Sequence, residues 1–188
     1  MRLFLFLLLA SGTRAMAQEA LIELPVDSTT RLVTYSRVVP LPGVSKKLVY
    51  ERAKFWLTVV FSPLNGESHV FDEAAATVQG TGRHYYDINV ASLPTNYYYF
   101  KVWFTVRVQA SEGQYKYVVD HFRIENSTDR PPPYVKDGPV ESTLLRLPAN
   151  HLIRDIVLDE RKAVEVVSNN FLSSLISNMV EPQKQELR

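Results

Sequence analysis

The segment from Pro42 to Leu57 constrains the fold most, because its residues specify a helix with a side that must be covered. Ser45 is a favourable N-cap, since its hydroxyl can accept a hydrogen bond from a backbone N–H of the first turn. Ser62-Pro63 is predicted to end the helix, because proline cannot donate a backbone hydrogen bond and disfavours helix at the preceding residue. We therefore predict a helix from just after Ser45 to about residue 61.

Apolar side chains surround most of this predicted helix. At 3.6 residues per turn, one line along it is formed by Val49, Ala53, Trp56 and Val60. The two flanks are formed by Leu48, Phe55 and Val59 and by Tyr50, Leu57 and Phe61. Burying one large side chain is worth roughly 1.5–3 kcal/mol, so we expect a core helix buried over most of its circumference. Its structural anchors are Ser45, Val49, Ala53 and Trp56.

Two charged features of this helix affect its stability. Lys46 and Lys47 lie at the positive end of the helix dipole, which is unfavourable by roughly a few tenths of a kcal/mol. Glu51 partly offsets this cost through an i,i+4 pair with Lys47. Arg52 lies beside the buried line, so we expect it to extend along apolar surface toward solvent or to pair with a carboxylate at the core edge.

The strongest strand pattern runs from Tyr98 to Gln109 and alternates strictly. The set predicted to face the helix is Tyr98, Phe100, Val102, Phe104, Val106 and Val108. The alternate set, which includes Tyr99, Lys101, Trp103 and Arg107, is then predicted to share the solvent face. Cation-flanked aromatic residues on such a face are typical of a surface that binds a protein, a peptide or a glycan.

The segment from Gln114 to Glu125 is predicted to return antiparallel after a hairpin loop. Two alternative sets could form its buried face: Tyr115, Tyr117 and Val119, or Val118, Phe122 and Ile124. A slip of one residue in the register exchanges the two faces of a strand. The pattern therefore leaves both sets open.

Shorter patterns complete the sheet. Edge or short strands are predicted at 20–24, 32–39, 69–72 and 75–79, with a continuation at 84–90 beyond Gly80-Thr81-Gly82. Turns are predicted at 25–30 and 94–96, and Pro131-Pro132-Pro133 is predicted to end the sheet. These elements predict an α+β fold: a curved antiparallel sheet backed by one central helix, plus a C-terminal helix.

The C-terminal helix is predicted to begin at a cap, Asp155 or Asp159, and to end before Pro182. Its apolar stripe consists of Val164, Val167, Phe171, Leu172, Leu175 and Met179. Such a stripe needs a surface to cover. We expect that surface to be the sheet or the first helix of the same chain, and the alternative is another chain.

The first seventeen residues have the features of a secretory signal peptide. Met1-Arg2 is a basic start, residues 3–10 are apolar, and Ala15-Met16-Ala17 is a small-x-small cleavage site. We therefore expect cleavage after Ala17 and export to the periplasm, the cell surface or the medium. The predicted organisation is 1–17 signal peptide, 19–127 α+β domain, 128–154 Pro-rich connector, 155–181 helix and 182–188 tail.

Charge and composition exclude several functions. The whole chain has a formal net charge of +1, and without Arg2 and Arg14 it becomes −1. A near-neutral chain is a poor candidate for non-specific binding to nucleic acid. No later apolar run is long enough to span a membrane, and the chain has no cysteine for disulfides. The oligomeric state is left open.

Several short motifs resemble those of a known family. They are Leu24-Pro25-Val26-Asp27, Leu32-Val33-Thr34-Tyr35, PGVSKxxxYxRAxxW from Pro42 to Trp56, and Gly80-Thr81-Gly82. The chain resembles a family of domains of unknown function with a TBP-like fold, found in exported proteins of Bacteroides-type bacteria. The resemblance implies a helix-backed curved antiparallel sheet and bacterial export. It implies no activity.

Catalytic and metal-binding patterns are weak. The four histidines have neither i,i+4 spacing nor cysteine partners, so no metal site and no cofactor are expected. Gly80-Thr81-Gly82 could cradle an anion, although a β-bulge or a turn with positive φ explains it more simply. Asp120 and His121 are adjacent in a predicted strand, so we expect them to point to opposite faces and not to act together.

Three functions therefore compete. The leading interpretation is an exported, non-catalytic binding module of unknown ligand that uses Tyr99, Lys101, Trp103 and Arg107. The first alternative is a hydrolase-like enzyme that uses His84 or His121. The second is a structural protein that self-associates through its C-terminal helix.

Overall fold

The alternation of apolar and polar residues produces one antiparallel sheet with a single buried face. The computed structural model describes residues 22–61, 67–89, 97–127 and 136–180. Its strands are β1 Tyr35–Pro40, β2 Ser68–Asp72, β3 Thr77–Asn89, β4 Tyr97–Ser111, β5 Gln114–Asn126 and β6 Gly138–Pro139. Their spatial order is β1-β5-β4-β3-β2, with β6 paired to β5. The helices are α1 Lys46–Val60, α2 Val140–Thr143 and α3 His151–Val180.

Both long helices pack on the same face of the sheet, called the inner face. Its β4 members are Phe100, Val102, Phe104, Val106 and Val108, all buried. The ring of Phe104 contacts Phe171 of α3 at 4.8 Å and Phe61, just after α1, at 6.0 Å between centroids. The predicted α+β architecture, a helix-backed antiparallel sheet with a C-terminal helix, is confirmed.

Helix α1 begins where the sequence predicts, and it is less buried than expected. The Ser45 hydroxyl accepts a hydrogen bond from the Leu48 N–H at 3.3 Å. Val49, Ala53 and Trp56 are buried. The prediction that the helix is buried over most of its circumference is wrong, because the sheet and α3 cover only part of it. The apolar side chains left exposed are Leu48, Val59 and Val60, with Val59 66% exposed.

The unfavourable lysines at the start of α1 are compensated from a distant part of the chain. Glu112, in the turn between β4 and β5, accepts a hydrogen bond from the Lys46 backbone N–H at 2.8 Å. This carboxylate supplies the negative charge that the positive end of a helix favours. The hairpin β4–β5 is thereby attached to the start of α1.

Arg52 connects α1 to the end of α3. Its guanidinium is half-buried and donates to the backbone carbonyl of Met179 at 2.6 Å. The sequence left open whether Arg52 extends toward solvent or pairs with a carboxylate. In the structure it is partly buried, and its partner is a backbone carbonyl instead of a carboxylate. A cation at the negative end of α3 also interacts favourably with the dipole of that helix.

The residues of β5 that face the core have odd numbers in the first half of the strand and even numbers in the second half. Tyr115, Tyr117 and Val119 are buried in the first half, whereas Phe122 and Ile124 are buried in the second. A β-bulge with a register shift opposite Trp103–Thr105 inserts one extra residue in β5. Each of the two alternative sets from the sequence is therefore correct for one half of the strand.

The glycines of β3 make room for a side chain from the end of α1. A Cβ on Gly80 would lie 2.6 Å from a ring atom of Phe61, and a Cβ on Gly82 would overlap the same ring. Both glycines lie inside the single strand β3, so the predicted break between two strands is wrong. The anion cradle is wrong because Phe61 fills the space, and the positive-φ turn is wrong because neither Gly80 nor Gly82 has a positive φ.

Helix α3 begins earlier than predicted and covers α1 within the same chain. The Asn150 side chain accepts from the Ile153 N–H at 3.3 Å, so the cap precedes both Asp155 and Asp159. All six residues of the predicted stripe are buried. The indole of Trp56 donates to the Ser174 hydroxyl at 3.2 Å. The stripe therefore packs in cis, against the first of the two surfaces that the sequence left open.

Other boundaries differ modestly from the predictions. Strand β1 starts at Tyr35 instead of residue 32, and an isolated bridge joins Val26 to Val33. The short helix α2 lies in the predicted connector. The predictions for the signal peptide, Ser62-Pro63, residues 94–96, Pro131–Pro133 and Pro182 lie outside the described residues. Among the helices of the described ranges, none is both long and apolar enough to traverse a membrane.

Candidate functional site

The face of the sheet opposite the helices, called the outer face, carries charged and aromatic side chains. Register and alternation place on it Gln79, Thr81, Arg83, Tyr85 and Asp87 of β3, Tyr99, Lys101, Trp103, Thr105 and Arg107 of β4, and Asp120, Arg123 and Glu125 of β5. Residues directly opposite one another on neighbouring strands have contacting side chains. The outer face is therefore a lattice of cross-strand pairs.

The central row of this lattice consists of one indole between two guanidiniums. Arg83 of β3 and Arg123 of β5 are both register partners of Trp103. The guanidinium carbons lie 5.2 Å and 5.4 Å from the centroid of the Trp103 ring. Since β3 and β5 flank β4 on opposite sides, the two cations approach the ring from opposite sides. Each cation–π contact is favourable by roughly 0.5–1 kcal/mol at a partly exposed site.

A second row lies beside the first and contains the acidic residue of the cluster. Glu125 accepts hydrogen bonds from Lys101 at 2.6 Å, from the Trp103 indole at 2.8 Å and from Arg123 at 3.0 Å. These donors, Lys101 first, lower the pKa of Glu125, so its carboxylate stays ionised at neutral pH. Tyr85 completes the row, with the Lys101 ammonium 5.9 Å from its ring.

The cluster has more positive than negative charge. We call Arg83, Lys101, Trp103, Arg123 and Glu125 the cationic cluster. It holds three cations and one carboxylate. Among the described residues Arg83 has no ion pair, and its Nε is buried without a hydrogen-bond partner. The outer face thus presents two guanidiniums, held in place by Trp103, whose charge is only partly neutralised by Glu125.

The four residues predicted from the sequence do not form one group. Tyr99, Lys101, Trp103 and Arg107 share the outer face of β4, as the alternation predicts. Lys101 and Trp103 belong to the cationic cluster. Arg107 lies outside this cluster, on the far side of Thr105. Its guanidinium donates two hydrogen bonds to the side-chain oxygen of Gln79, at 3.0 and 2.9 Å. Tyr99 lies at the other end of β4, opposite Asp87.

The sequence reasoning missed Arg83, Arg123 and Glu125. These residues lie on different strands, so only the cross-strand register brings them to Trp103. The signal available in the sequence is the alternation of charged residues at 123 and 125 in the second half of β5. The bulge shifts the register of that half by one residue. A prediction that assumes strict alternation along the whole strand therefore places these charged residues on the wrong face.

Asp120 and His121 do point to the same side, contrary to the sequence prediction. His121 Nδ1 lies 2.7 Å from Asp120 Oδ1. His121 has φ of 54°, in the left-handed region, because it is the extra residue of the bulge. The bulge turns the imidazole out beside the carboxylate. The His121 side chain is 62% exposed.

His84 lies in a different environment. It borders a cavity of about 140 Å³ between the end of α1, β3 and α3. The residues that line the cavity are Val60, Phe61, Arg83, His84, Phe104, Val167, Asn170 and Phe171, with neither a carboxylate nor a hydroxyl among them. His84 therefore borders a cavity without a carboxylate partner, whereas His121 contacts a carboxylate outside that cavity. The two histidines do not form one site. Within the described ranges, no three acidic or histidine side chains are grouped in a way that could hold a metal.

Comparison with known proteins matches the central part of the chain to a family model. Residues 35–125 match the model of the family described as domain of unknown function (DUF4468) with TBP-like fold. The fold resembles the crystal structure of a DUF4468 family protein from Bacteroides ovatus, with a TM-score of 0.64 and 18% identity over 88% of this chain and 96% of that one.

It also resembles a TBP-like protein from Parabacteroides distasonis, with a TM-score of 0.53 and 11% identity over 77% of this chain and 92% of that one. No curated protein sequence matches the chain significantly. At these identities the two crystal structures support the fold alone. The predicted resemblance to a family of domains of unknown function with a TBP-like fold is confirmed over residues 35–125, which match the DUF4468 family model.

Proposed function

We propose that the protein is an exported, non-catalytic module that binds an acidic segment of another protein on its outer sheet face. The observation that carries this proposal is the row of Arg83, Trp103 and Arg123. Export is supported by the apolar run at 3–10 and the Ala15-Met16-Ala17 site.

The chemistry of the row favours carboxylates as ligands. A guanidinium presents a planar fork of donors that matches a carboxylate in two parallel hydrogen bonds. Trp103 orients both guanidiniums before any ligand arrives, which lowers the entropy lost on binding. Glu125 neutralises only part of the charge. An acidic peptide segment supplies the complementary charges at strand-like spacing.

The same geometry disfavours a glycan as the ligand. Sugars stack on exposed faces of aromatic rings, and the Trp103 ring already has two guanidiniums lying against it, at 5.2 and 5.4 Å from its centroid. Nucleic acid is disfavoured by the near-neutral charge of the whole chain. Trp103 therefore acts in this proposal as the support of the site, and the arginines act as its contact groups.

A titration with a fluorescein-labelled poly-glutamate peptide of about 15 residues tests the proposal, with binding read by fluorescence anisotropy at low ionic strength. We expect the Arg83→Gln/Arg123→Gln variant to bind roughly a hundredfold more weakly, because each of the two lost charge-assisted hydrogen bonds contributes at least roughly 1.5 kcal/mol and about 1.4 kcal/mol is a factor of ten. The matched control is Arg107→Gln, which removes one cation from the same face outside the cluster. Its affinity should change less than about twofold.

Two results would overturn the proposal. One is equal weakening by Arg107→Gln and by the Arg83→Gln/Arg123→Gln change, which would indicate a diffuse charge effect. The other is tighter binding of a neutral oligosaccharide than of the peptide, measured by calorimetry, since that would assign the face to a glycan. Circular dichroism of each variant shows that the fold is retained.

A second candidate, a hydrolase-like activity, rests on the 2.7 Å contact between His121 and Asp120. A carboxylate that orients an imidazole is the arrangement of a general base. Hydrolysis of p-nitrophenyl acetate is the assay, with His121→Ala as the variant and exposed His151→Ala as the control. Loss of rate in the first variant alone would favour the enzyme; equal rates would exclude this role for His121.

A further inference from the structure

A second cavity lies between α2 and the first turns of α3. It has a volume of about 140 Å³. Its lining residues are Lys136, Ser142, Thr143, Pro148, Ile153, Ile156, Val157 and Glu160. The carboxyl of Glu160 is the acidic group among them, and it comes from the buried side of α3.

One carboxyl oxygen of Glu160 is buried and unsatisfied. The residue is 5% exposed, and its Oε1 has no hydrogen-bond partner among the described residues. A buried polar oxygen without a partner costs roughly 1–3 kcal/mol, and more when it is charged. Buried acidic residues are almost always paired. Within the part of the chain that the structure describes, Glu160 therefore has an open acceptor that a donor group could occupy.

The neighbouring charges do not fill this role. Arg161, the next residue, is turned to other groups, since its guanidinium donates to the carbonyls of Leu144 at 2.6 Å and Ile22 at 3.3 Å. Glu141 of α2 accepts from the Val33 N–H at 2.7 Å. Asp159 has the same sign as Glu160. Lys136 borders the cavity, and no ion pair joins it to Glu160 in the described residues.

The remaining lining defines the ligand chemistry. Ser142 and Thr143 donate their hydroxyl hydrogens to the carbonyl of Pro139, at 2.8 and 3.2 Å, so their free lone pairs are acceptors. Together with Glu160 they form a set of acceptors. Ile153, Ile156 and Val157 supply an apolar wall. The volume of about 140 Å³ corresponds to roughly four or five waters at about 30 Å³ each.

We propose that this cavity binds a small primary alkylammonium cation, with Glu160 as its counter-ion. The ammonium group donates to Glu160 and to the two hydroxyls, and the alkyl group packs against the isoleucines and Val157. The proposal is independent of the outer face.

The affinity of such a site depends on pH. Burial first, and then the charge of Asp159, raise the pKa of Glu160 to about 7. The groups that face it are Asp159 on α3 and Lys136 before β6, while Ser142 and Thr143 on α2 do not titrate near neutral pH. A cation binds the ionised carboxylate, so binding should weaken as the pH falls below about 7.

Calorimetric titration with ethylammonium chloride at pH 8 and pH 6 tests the proposal. We expect saturable binding at pH 8, roughly tenfold weaker at pH 6, where about one tenth of Glu160 is ionised. The variant Glu160→Gln should lose the binding. Glu165→Gln, which removes the same charge from α3 outside the cavity, should retain it.

Other outcomes would overturn the proposal. Equal binding of tetramethylammonium, which has no N–H donor, would show that the cavity attracts any cation and that hydrogen bonds from an ammonium group are not required. Binding that appears only after Lys136→Ala would show that the protein's own lysine occupies the cavity. No heat at either pH, with the variants folded by circular dichroism, would mean that the cavity holds water alone.

Discussion

The substitution Glu160→Gln should abolish a specific pH dependence of the free energy of unfolding. Glutamine keeps the size of the side chain and removes the ionisable proton. In the folded protein the pKa of Glu160 is raised from 4.5 to about 7 by burial. In the unfolded chain the carboxyl is solvated and titrates near its ordinary value.

The sign follows from proton uptake. Between pH 4.5 and about 7 the folded state binds more protons at Glu160 than the unfolded state does. Stability from this group is therefore fully present below pH 4.5 and is lost as the pH rises to about 7. At roughly 1.4 kcal/mol per pKa unit, the loss amounts to about 3 kcal/mol.

Urea denaturation of the wild type and of Glu160→Gln at half-unit steps from pH 4.5 to pH 8 measures this loss. All other groups titrate in both proteins and cancel in the difference between the two unfolding free energies. We expect that difference to rise by about 3 kcal/mol across the window, in favour of the variant at high pH. Glu165→Gln removes a carboxylate from α3 outside the cavity, so it is the matched control and should not reproduce this rise.

A flat difference for Glu160→Gln would refute the reasoning, because it would mean that Glu160 is solvated or paired in the folded protein. A difference of opposite slope would mean that a cationic side chain of the protein itself already pairs with the carboxylate and keeps it ionised. Both outcomes would also remove the basis for the ammonium cavity.

Three further predictions test the packing. Gly82→Ala should destabilise the fold by about 1–3 kcal/mol in urea denaturation, because its methyl group overlaps the Phe61 ring. Adding Phe61→Leu to this variant should restore part of the lost stability. Unchanged stability in Gly82→Ala would contradict the packing of Phe61 against Gly82. Arg52→Ala should cost about 1.5–3 kcal/mol, since the charged hydrogen bond to Met179 is lost, and equal stability of the two proteins would show that bond to be unimportant. Burial raises the pKa of Tyr115 to about 12, so stability should fall as the pH rises from 10 to 12, and Tyr115→Phe should lack this fall in thermal denaturation.

The local features of the sequence predicted the elements well. The cap at Ser45, the line through Trp56 and the alternation of β4 each depend on neighbours within a few residues. For the same reason the alternation alone was enough to assign Lys101 and Trp103 to the face away from the helices.

Features that depend on distant residues could not be predicted. The charge that compensates Lys46 comes from Glu112, which lies 66 residues away. The residues of β5 that face the core change from odd to even numbers at a bulge, and no local sequence pattern predicts that bulge. The cluster around Trp103 needs the register of three strands. The burial of Glu160 could have been predicted, because Glu160 lies one helical turn before Val164 and so places a carboxylate in line with the apolar stripe of α3.

The position of Phe171 bears on how the chain reaches its native state. Its ring contacts Trp56, Phe61 and Phe104 at 4.7, 5.5 and 4.8 Å, although it lies well beyond the region matched by the family model. A ribosome-bound or truncated chain that ends near residue 127 leaves these three aromatic residues without their cover. Folding therefore completes only after synthesis of α3, and a fragment limited to residues 35–125 is expected to aggregate instead of folding.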